Sequence, residues 1–475
     1  MRSTFALWIC LFFVSVGTGQ DFSQPWTLQS CIDHALKNNL SIKQGALNAE
    51  INEVNYLQSK ANVLPSLNAN LSHAYNFGRT IDPFTNQFAT DRVLSQNFSL
   101  SSALILFNGF QNYNNIRQQK LNMLAGEQDL EKLKNDISLS IATAYLQVLF
   151  ADELLEIAKG QYEITRLQAE RTKKLADAGA VAKNVFLDIQ AQLAAEELNV
   201  VNAENQLTMA YLNLGQLLDL SDMKNFKIVK PDLSPPAENL ISSSPEEIYN
   251  SAISLLPDVK SAEYKLMAAE KGLAVSRGAM SPRLTLSGSL GTGYSGLSRK
   301  ITSVQPTGSW DTTLYFSSSG DLIFVPTFNT SFETIPFREQ YDQNVNRSVG
   351  LFLTIPLFNG LQTYSSVKRS KINMLNAQYS VDIAKQTLMK NIQQAWADAV
   401  AALKKYQATV KSLKALEESF SNTEKRFEVN LVNSYEYAEA KNRLARAKSD
   451  LSQAKYDYFF KLKVLDYYQG KPIKF

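Results

Sequence analysis

Hydrophobic positions along the chain follow a helical period, switch to strict alternation, and return to a helical period, and the cycle occurs twice. From Trp26 to Leu64 the spacing predicts helix in two segments, with Thr27 and Ser41 as caps and Pro65 as the stop. Leu67, Ala69, Leu71, Tyr75 and Phe77 then alternate with Asn68, Asn70, Ser72, Ala74 and Asn76, the period of a strand. A returning segment sets Phe98, Leu100, Ser102, Leu104 and Leu106 against Asn97, Ser99 and Ser101. In the second cycle Leu284, Leu286 and Leu290 alternate with Thr285, Ser287 and Ser289, and Val349, Leu351, Leu353, Ile355 and Leu357 with Ser348, Gly350 and Thr354. The predicted hairpin strands cover about 66–78 and 93–107, then about 283–294 and 346–358. The connections Gly78 to Arg92 and Ser295 to Val345, rich in Ser, Thr, Asn and aromatics, read as loops.

The two cycles are an internal repeat. Leu106-Phe107-Asn108-Gly109 returns as Leu357-Phe358-Asn359-Gly360, an offset of 251 that also brings Tyr145 onto Trp396, Gly179 onto Asn430 and Leu214 onto Leu465. Upstream the offset is 217, from Leu64-Pro65-Ser66 to Ser281-Pro282-Arg283, so the second copy holds 34 extra residues between its Pro and its Phe-Asn-Gly. The repeats span 21–220 and 245–470, joined by a Pro- and Ser-rich crossover over 221–244 and followed by a tail, 471–475. Pro65, Gly109, Pro282 and Gly360 mark the junctions between strand and helix.

After each Phe-Asn-Gly comes a long heptad pattern. Its seam in the first copy runs through Leu133, Ile137, Ile141, Ala144, Val148, Ala151, Leu155, Ala158, Tyr162, Thr165, Ala169, Thr172 and Ala176, and each position recurs as a seam residue 251 later, from Ala384 to Phe427. Gly179 and Asn430 break the pattern, being residue types that tolerate the left-handed end of a helix. Return helices follow, with seams Leu193, Val200, Ala203, Leu207, Ala210, Leu214 and Leu444, Ala447, Leu451, Ala454, Tyr458, Leu465. Residues 110–177 predict a rod of roughly 100 Å, matched by the helices 184–219 and 245–280 placed end to end. Such a rod has apolar surface on two sides and needs neighbours from other copies.

Composition narrows the function. The chain has 475 residues, 45% hydrophobic, with 48 Lys+Arg against 45 Asp+Glu and no basic run, which excludes nucleic acid as the main partner. Met1 to about Gln20 reads as a cleaved secretory leader: Arg2, an apolar run from Phe5 to Val14, then small residues. Beyond it no stretch approaches the roughly 18–20 uncharged apolar residues of a spanning helix, so helical membrane spans are excluded at this stage. Two His and two Cys leave too few soft ligands for a zinc or iron–sulfur site, and after leader removal Cys31 is a single thiol read as a small buried helix residue. His34 and His73 have no recognisable partner and take packing or rim roles; Glu196-Glu197, Glu246-Glu247 and Glu417-Glu418 are adjacent acids pointing about 100° apart on a helix. No P-loop, dinucleotide turn or nucleophile elbow is present, so neither an enzyme nor a cofactor is expected. Four strands cannot close a membrane barrel, which needs about eight, but three protomers would supply twelve, with Tyr75, Phe77 and Tyr294 near the rim. The alternative is a small sheet capping a soluble coiled coil, as in a non-channel periplasmic scaffold or adaptor.

With these features together, the exported two-repeat chain resembles the TolC-type outer-membrane efflux channels, and in Tyr75-Asn76-Phe77-Gly78-Arg79 and Gln469-Gly470-Lys471-Pro472 it resembles their Bacteroidetes branch. The resemblance implies a mainly α fold with a small β part: a homotrimer whose twelve-stranded outer-membrane barrel continues into a periplasmic coiled-coil barrel. It implies a passive duct in a tripartite efflux or type I secretion system, with outer-membrane lipid, a periplasmic adaptor and an inner-membrane transporter as partners. By resemblance Gly179 and Asn430 form the periplasmic tip, and Asp188, Glu436 and Glu439 are a candidate acidic gate there. Asn430 stands where the family usually has Gly, and Val432 where some members place a basic residue.

Overall fold

The computed structural model describes residues 25–471 apart from 83, 87, 91, 221, 224, 225, 232–242 and 430. The expected leader, most of the crossover, the tail beyond Lys471 and the turn residue Asn430 lie outside the described residues.

Helix boundaries reproduce the repeat. Helices α1 (Leu28–Asn38) and α2 (Leu40–Ala61) match α5 (Pro245–Leu255) and α6 (Pro257–Gly278) at the offset of 217. The 67-residue α3 (Gln111–Asp177) and α4 (Lys183–Leu217) match α8 (Gln362–Glu428) and α9 (Ser434–Tyr468) at the offset of 251. Two local expectations change. Thr27 does cap α1, accepting from the Ser30 amide, but α2 is capped by Asn39 rather than Ser41: Asn39 Oδ1 accepts from the amides of Ser41 and Ile42. The segment 245–280 is two helices, because Leu256 turns extended and Pro257 opens the next helix, where its missing N–H costs nothing. A capping box between Ser244 and Glu247 starts α5.

The strands are β1 (Ser66–Asn76), the short β2 (Thr80–Ile81) and β3 (Phe88–Ala89), β4 (Val93–Phe107), β5 (Arg283–Ser295), β6 (Arg299–Phe316), β7 (Leu322–Thr334) and β8 (Asn346–Thr354), with a short helix α7 (Phe337–Gln343) before β8. A four-stranded antiparallel sheet runs β1-β4-β5-β8. The expected first loop carries the β2–β3 bridge, and the expected second loop is instead a long β6–β7 ribbon plus α7, which is where the extra residues go. The Ser/Thr-rich composition of that segment masked an alternation that cross-strand pairing stabilises.

The chain divides into two compact units that cut across the repeats: residues up to 51 with 124–264 and 378–475, and residues 52–123 with 265–377. In the first unit, Ile141, Tyr145, Val148 and Leu214 pack with Cys31, Ile32 and Ala35 in one core cluster, and Ile392, Ala399 and Leu465 with Ile248 and Ala252 in its repeat counterpart. Every seam position named for α3 and α8 is buried or half-buried. Contrary to the exclusion of helical spans from the sequence, one window of α3 is, by length and composition, apolar enough to cross a membrane. The buried residues from Ile141 to Leu155 in α3 explain this apolar character as core packing. Within it the Tyr145 hydroxyl lies 2.5 Å from the Val229 carbonyl oxygen and 3.2 Å from that of Trp26; its repeat mate Trp396 donates Nε1–H to the Ser243 carbonyl at 3.2 Å. Cys31 is fully buried, and burial pushes its thiol up to about 12. His34 stacks edge-on against Trp26 with centroids 5.0 Å apart.

Candidate functional site

Three features stand where the sequence pattern placed its candidate residues. The first is the sheet of the second unit. Its register runs Asn68↔Ser101↔Ser289↔Ser348 on one face and Ala69↔Leu100↔Leu290 and Leu104↔Leu286↔Leu351 on the other. Ser66, Asn68, Ser101, Ser289 and Ser348 line a shallow trough on the polar face, and the hydroxyls of Ser289 and Ser348 are 2.7 Å apart. Ile105 and Phe352 join that face through Thr285, so it is polar but not uniformly so. The apolar face lies open to solvent: Leu71 is 74% exposed and Val349 82%. β1 and β8, at the two edges, each lack a neighbour on one side. Of the rim aromatics, Tyr75 and Phe77 are exposed, whereas Tyr294 packs on Phe337 at 5.6 Å. His73 lies 2.8 Å from the Gln96 amide and edge-on to Tyr75.

The second feature is the strand-to-helix junction. Pro65 and Pro282 immediately precede β1 and β5. At the other two junctions a pair of residues turns left-handed: Gly109 (φ 63°) with Phe110 (60°), and Gly360 (61°) with Leu361 (62°). The strained pair lets the Asn before it cap the helix, as Asn108 Oδ1 accepts from Asn112 N and Asn359 Oδ1 from Thr363 N, both at 3.4 Å. The junctions differ in one respect. A Cβ on Gly109 would run into the Gly278 carbonyl and Ser281 at the end of α6, whereas Gly360 has open space around it.

The third feature is the pair of helical hairpin turns in the first unit. Gly179 (φ 71°) ends α3 with the paired bonds Ala180 N–H to Leu175 O at 2.8 Å and Gly179 N–H to Ala176 O at 3.0 Å. At the equivalent turn Leu431 N–H donates to Arg426 O at 2.8 Å. Asn433 caps α9, its Oδ1 accepting from the Glu436 amide at 2.8 Å while its Nδ2 lies 3.3 Å from the Glu436 carboxylate. Glu439 pairs with Arg443 one turn on. Asp188 instead lines a cavity of about 340 Å³ with Gln168, Gln192, Tyr435, Tyr437 and Lys441. The three acids therefore do not form one cluster within the chain: two are engaged by their own helix and one faces a cavity.

That cavity contains residues the sequence reading passed over. Lys441 is 3% exposed, with Nζ 3.0 Å from the Gln161 carbonyl and 2.6 Å from Thr165 Oγ1. Burial pushes its ammonium down to about 8, partly offset by the Glu196 carboxylate. Glu196, which the sequence showed only as one of two adjacent helix acids, is buried and accepts from Gln192 and Asn199. Lys441 continues the spacing of Leu444, Ala447 and Leu451 one turn upstream, the signal that could have placed it on the seam. Beside it Tyr437 stacks on Phe427 at 4.6 Å, and burial with the Glu424 and Glu428 charges pushes its hydroxyl up to about 12. Among the described residues no group of three or more His, Cys, Asp or Glu is arranged to hold a metal.

Comparison with known proteins follows the same outline. A family model described as outer membrane efflux protein matches residues 31–219 and 248–463. The outer membrane efflux protein BepC of Brucella suis biovar 1 is 21% identical over 438 residues, 91% of this chain and 82% of that protein. The outer membrane protein TolC of Escherichia coli K12 is 23% identical over 464 residues, 94% of this chain and 82% of its own length. Among solved structures, the CmeC outer membrane channel of Campylobacter jejuni superposes with a TM-score of 0.75 at 18% identity, covering 93% of this chain and 85% of that one.

Proposed function

This chain belongs to the outer membrane efflux protein family, and from that premise we propose that three copies form a passive duct that carries substrates across the outer membrane. The observation that carries the reading is the incomplete sheet. Its four strands alternate in direction, so β8 of one copy meets β1 of the next antiparallel, and three copies close twelve strands with no edge left. The exposed Leu and Val rows then face lipid and the Ser and Asn rows face the lumen. Strands of 9 to 15 residues are long enough for a tilted span.

The repeat supports the same assembly. Within the chain α6 meets both α3, where Gly272 sits against Gln118, and α8, where the hydroxyls of Ser276 and Ser370 are 2.7 Å apart. Its counterpart α2 meets α3 through Gly45 against Leu130 and Leu133, while Val54 and Leu57 of α2 and Ile372 and Leu375 of α8 remain exposed. A second copy supplies the missing α2-to-α8 contact, and a helix end against Gly360 like the one that Gly109 meets.

The helical hairpin turns at Gly179 and Asn430 form the periplasmic end, where an adaptor and an inner-membrane transporter complete the pump. Energy comes from the transporter, so the duct itself needs no cofactor and no bond-making chemistry. Asp188, Glu436 and Glu439, tripled by symmetry, put a negative field at that end that favours cations. The test is the purified protein in a planar bilayer. It is expected to fractionate with the outer membrane, to be trimeric, and to conduct with cation preference; Glu436→Gln with Glu439→Gln is expected to lower that preference. Recovery from the periplasm without detergent, with no conductance, would favour a coiled-coil scaffold, and an unchanged preference in the double variant would remove the acidic gate.

A further inference from the structure

The ribbon of β6 and β7 replaces the two-residue β2–β3 pairing at the same place in the first repeat, and among the described residues it pairs with no other strand. Three residues separate it from β5, at the end of the sheet opposite the Pro and Gly junctions. Its root is held by Ile335 N–H to Ser298 O at 2.9 Å and by Lys300 Nζ at 3.0 Å from Glu339, with the Gln340 amide clamping Ser295. From there it is strongly two-faced. The pairs Ile301↔Phe332, Val304↔Thr330, Pro306↔Phe328, Trp310↔Pro326, Thr312↔Phe324 and Phe316↔Leu322 share one face, which is apolar and aromatic apart from Thr312 and Thr330. Lys300↔Glu333, Ser303↔Ser331, Gln305↔Asn329 and the hydroxyls of Thr307, Ser309 and Thr327 make the opposite face polar in its root half, beyond which Val325 and Ile323 join it. The apolar residues are bare: Trp310 is 67% exposed, Phe316 64% and Phe332 57%.

We propose that this ribbon is an interaction surface for a second copy of the same chain, the apolar faces of three ribbons packing together beyond the outer end of the sheet. The inference rests on the trimeric duct reading. Three observations favour a like copy over other occupants. A two-stranded ribbon is marginal alone, and both outer edges of this one are unpaired, so β7 of one copy and β6 of the next can pair antiparallel. The ribbon is rooted on the sheet that the trimer must close, only residues 296–298 separating β5 from β6. Residues 301–334 contain no Lys or Arg and three acids, Asp311, Asp321 and Glu333, which leaves nothing to attract an anionic lipid surface. The packed ribbons narrow the outer mouth, so passage requires them to part.

The test uses the full-length exported protein, in which Cys31 is buried and unreactive. Phe324→Cys and Phe328→Cys on the apolar face, and Asn329→Cys on the polar face, are purified and treated with a short bis-maleimide, with the mass in detergent measured in parallel. The two apolar-face thiols are expected to convert most of the chain to covalent dimer, the limit for one thiol per copy, and Asn329→Cys to stay monomeric on a denaturing gel. A trimer without the apolar-face cross-link overturns the inference and leaves the duct standing; quenching of its tryptophan fluorescence by brominated lipid would then assign the face to membrane. A chain that is monomeric in detergent overturns both.

Discussion

Gly109 and Gly360 occupy the same place in the two repeats with nearly the same left-handed backbone, yet only Gly109 has a backbone carbonyl where a side chain would go. An Ala at either position carries the strain of a positive φ, and at Gly109 it must also displace the end of α6. Gly109→Ala is therefore expected to cost about 1–3 kcal/mol and to lower the melting temperature. An unchanged melting temperature would show that the α6 end yields freely. Phe110 and Leu361 carry the same conformation without glycine's freedom, so each junction holds a strained residue in place through the helix that its neighbouring Asn caps.

At the scale of elements, α3, α4 and α9 meet around a buried charge. Unfolded, a lysine keeps its proton to about pH 10.4; folded, Lys441 releases it near 8. Between those values the unfolded chain binds the extra proton, so stability rises with pH; below about 8 both states are protonated and the full cost of burying the ammonium is carried. The melting temperature of the parent is accordingly expected to rise relative to Lys441→Met between about pH 8 and 10, whatever the offset at neutral pH. Parallel curves for the two proteins would mean that Lys441 gains water or a closer carboxylate than Glu196. The same contact explains Thr165, a buried polar residue on an otherwise apolar seam: its hydroxyl accepts from the ammonium, whose other partner is the Gln161 backbone carbonyl.

At the scale of the whole molecule, the surfaces left for other copies are apolar helix faces and unpaired strand edges. Ion pairs such as Arg166 with Glu163 and Lys385 with Glu263 lie within the chain and at the surface, where each adds little. The proposed trimer is therefore expected to keep its mass in detergent from about 0.05 to 1 M salt, a range over which the Debye length falls several-fold. Dissociation at high salt would point instead to charged contacts between copies.

The periodicity of the chain by itself determined the two repeats, the four main strands, the long helices and the seams, since burial of an apolar stripe or face is a local pattern repeated along the backbone. The helix-ending turn at Gly179 and the Phe-Asn-Gly junctions were legible for the same reason, each residue type answering a backbone need. Tertiary structure decided the rest. It showed that the apolar stretch of α3 contributes buried residues between Ile141 and Ala151 to a core cluster, that Glu196 and Lys441 are buried together, and that Asp188, Glu436 and Glu439 face different surroundings. It also turned the inserted loop into a two-faced ribbon, because a strand pairing is a contact between distant residues whose partner no single stretch of sequence specifies.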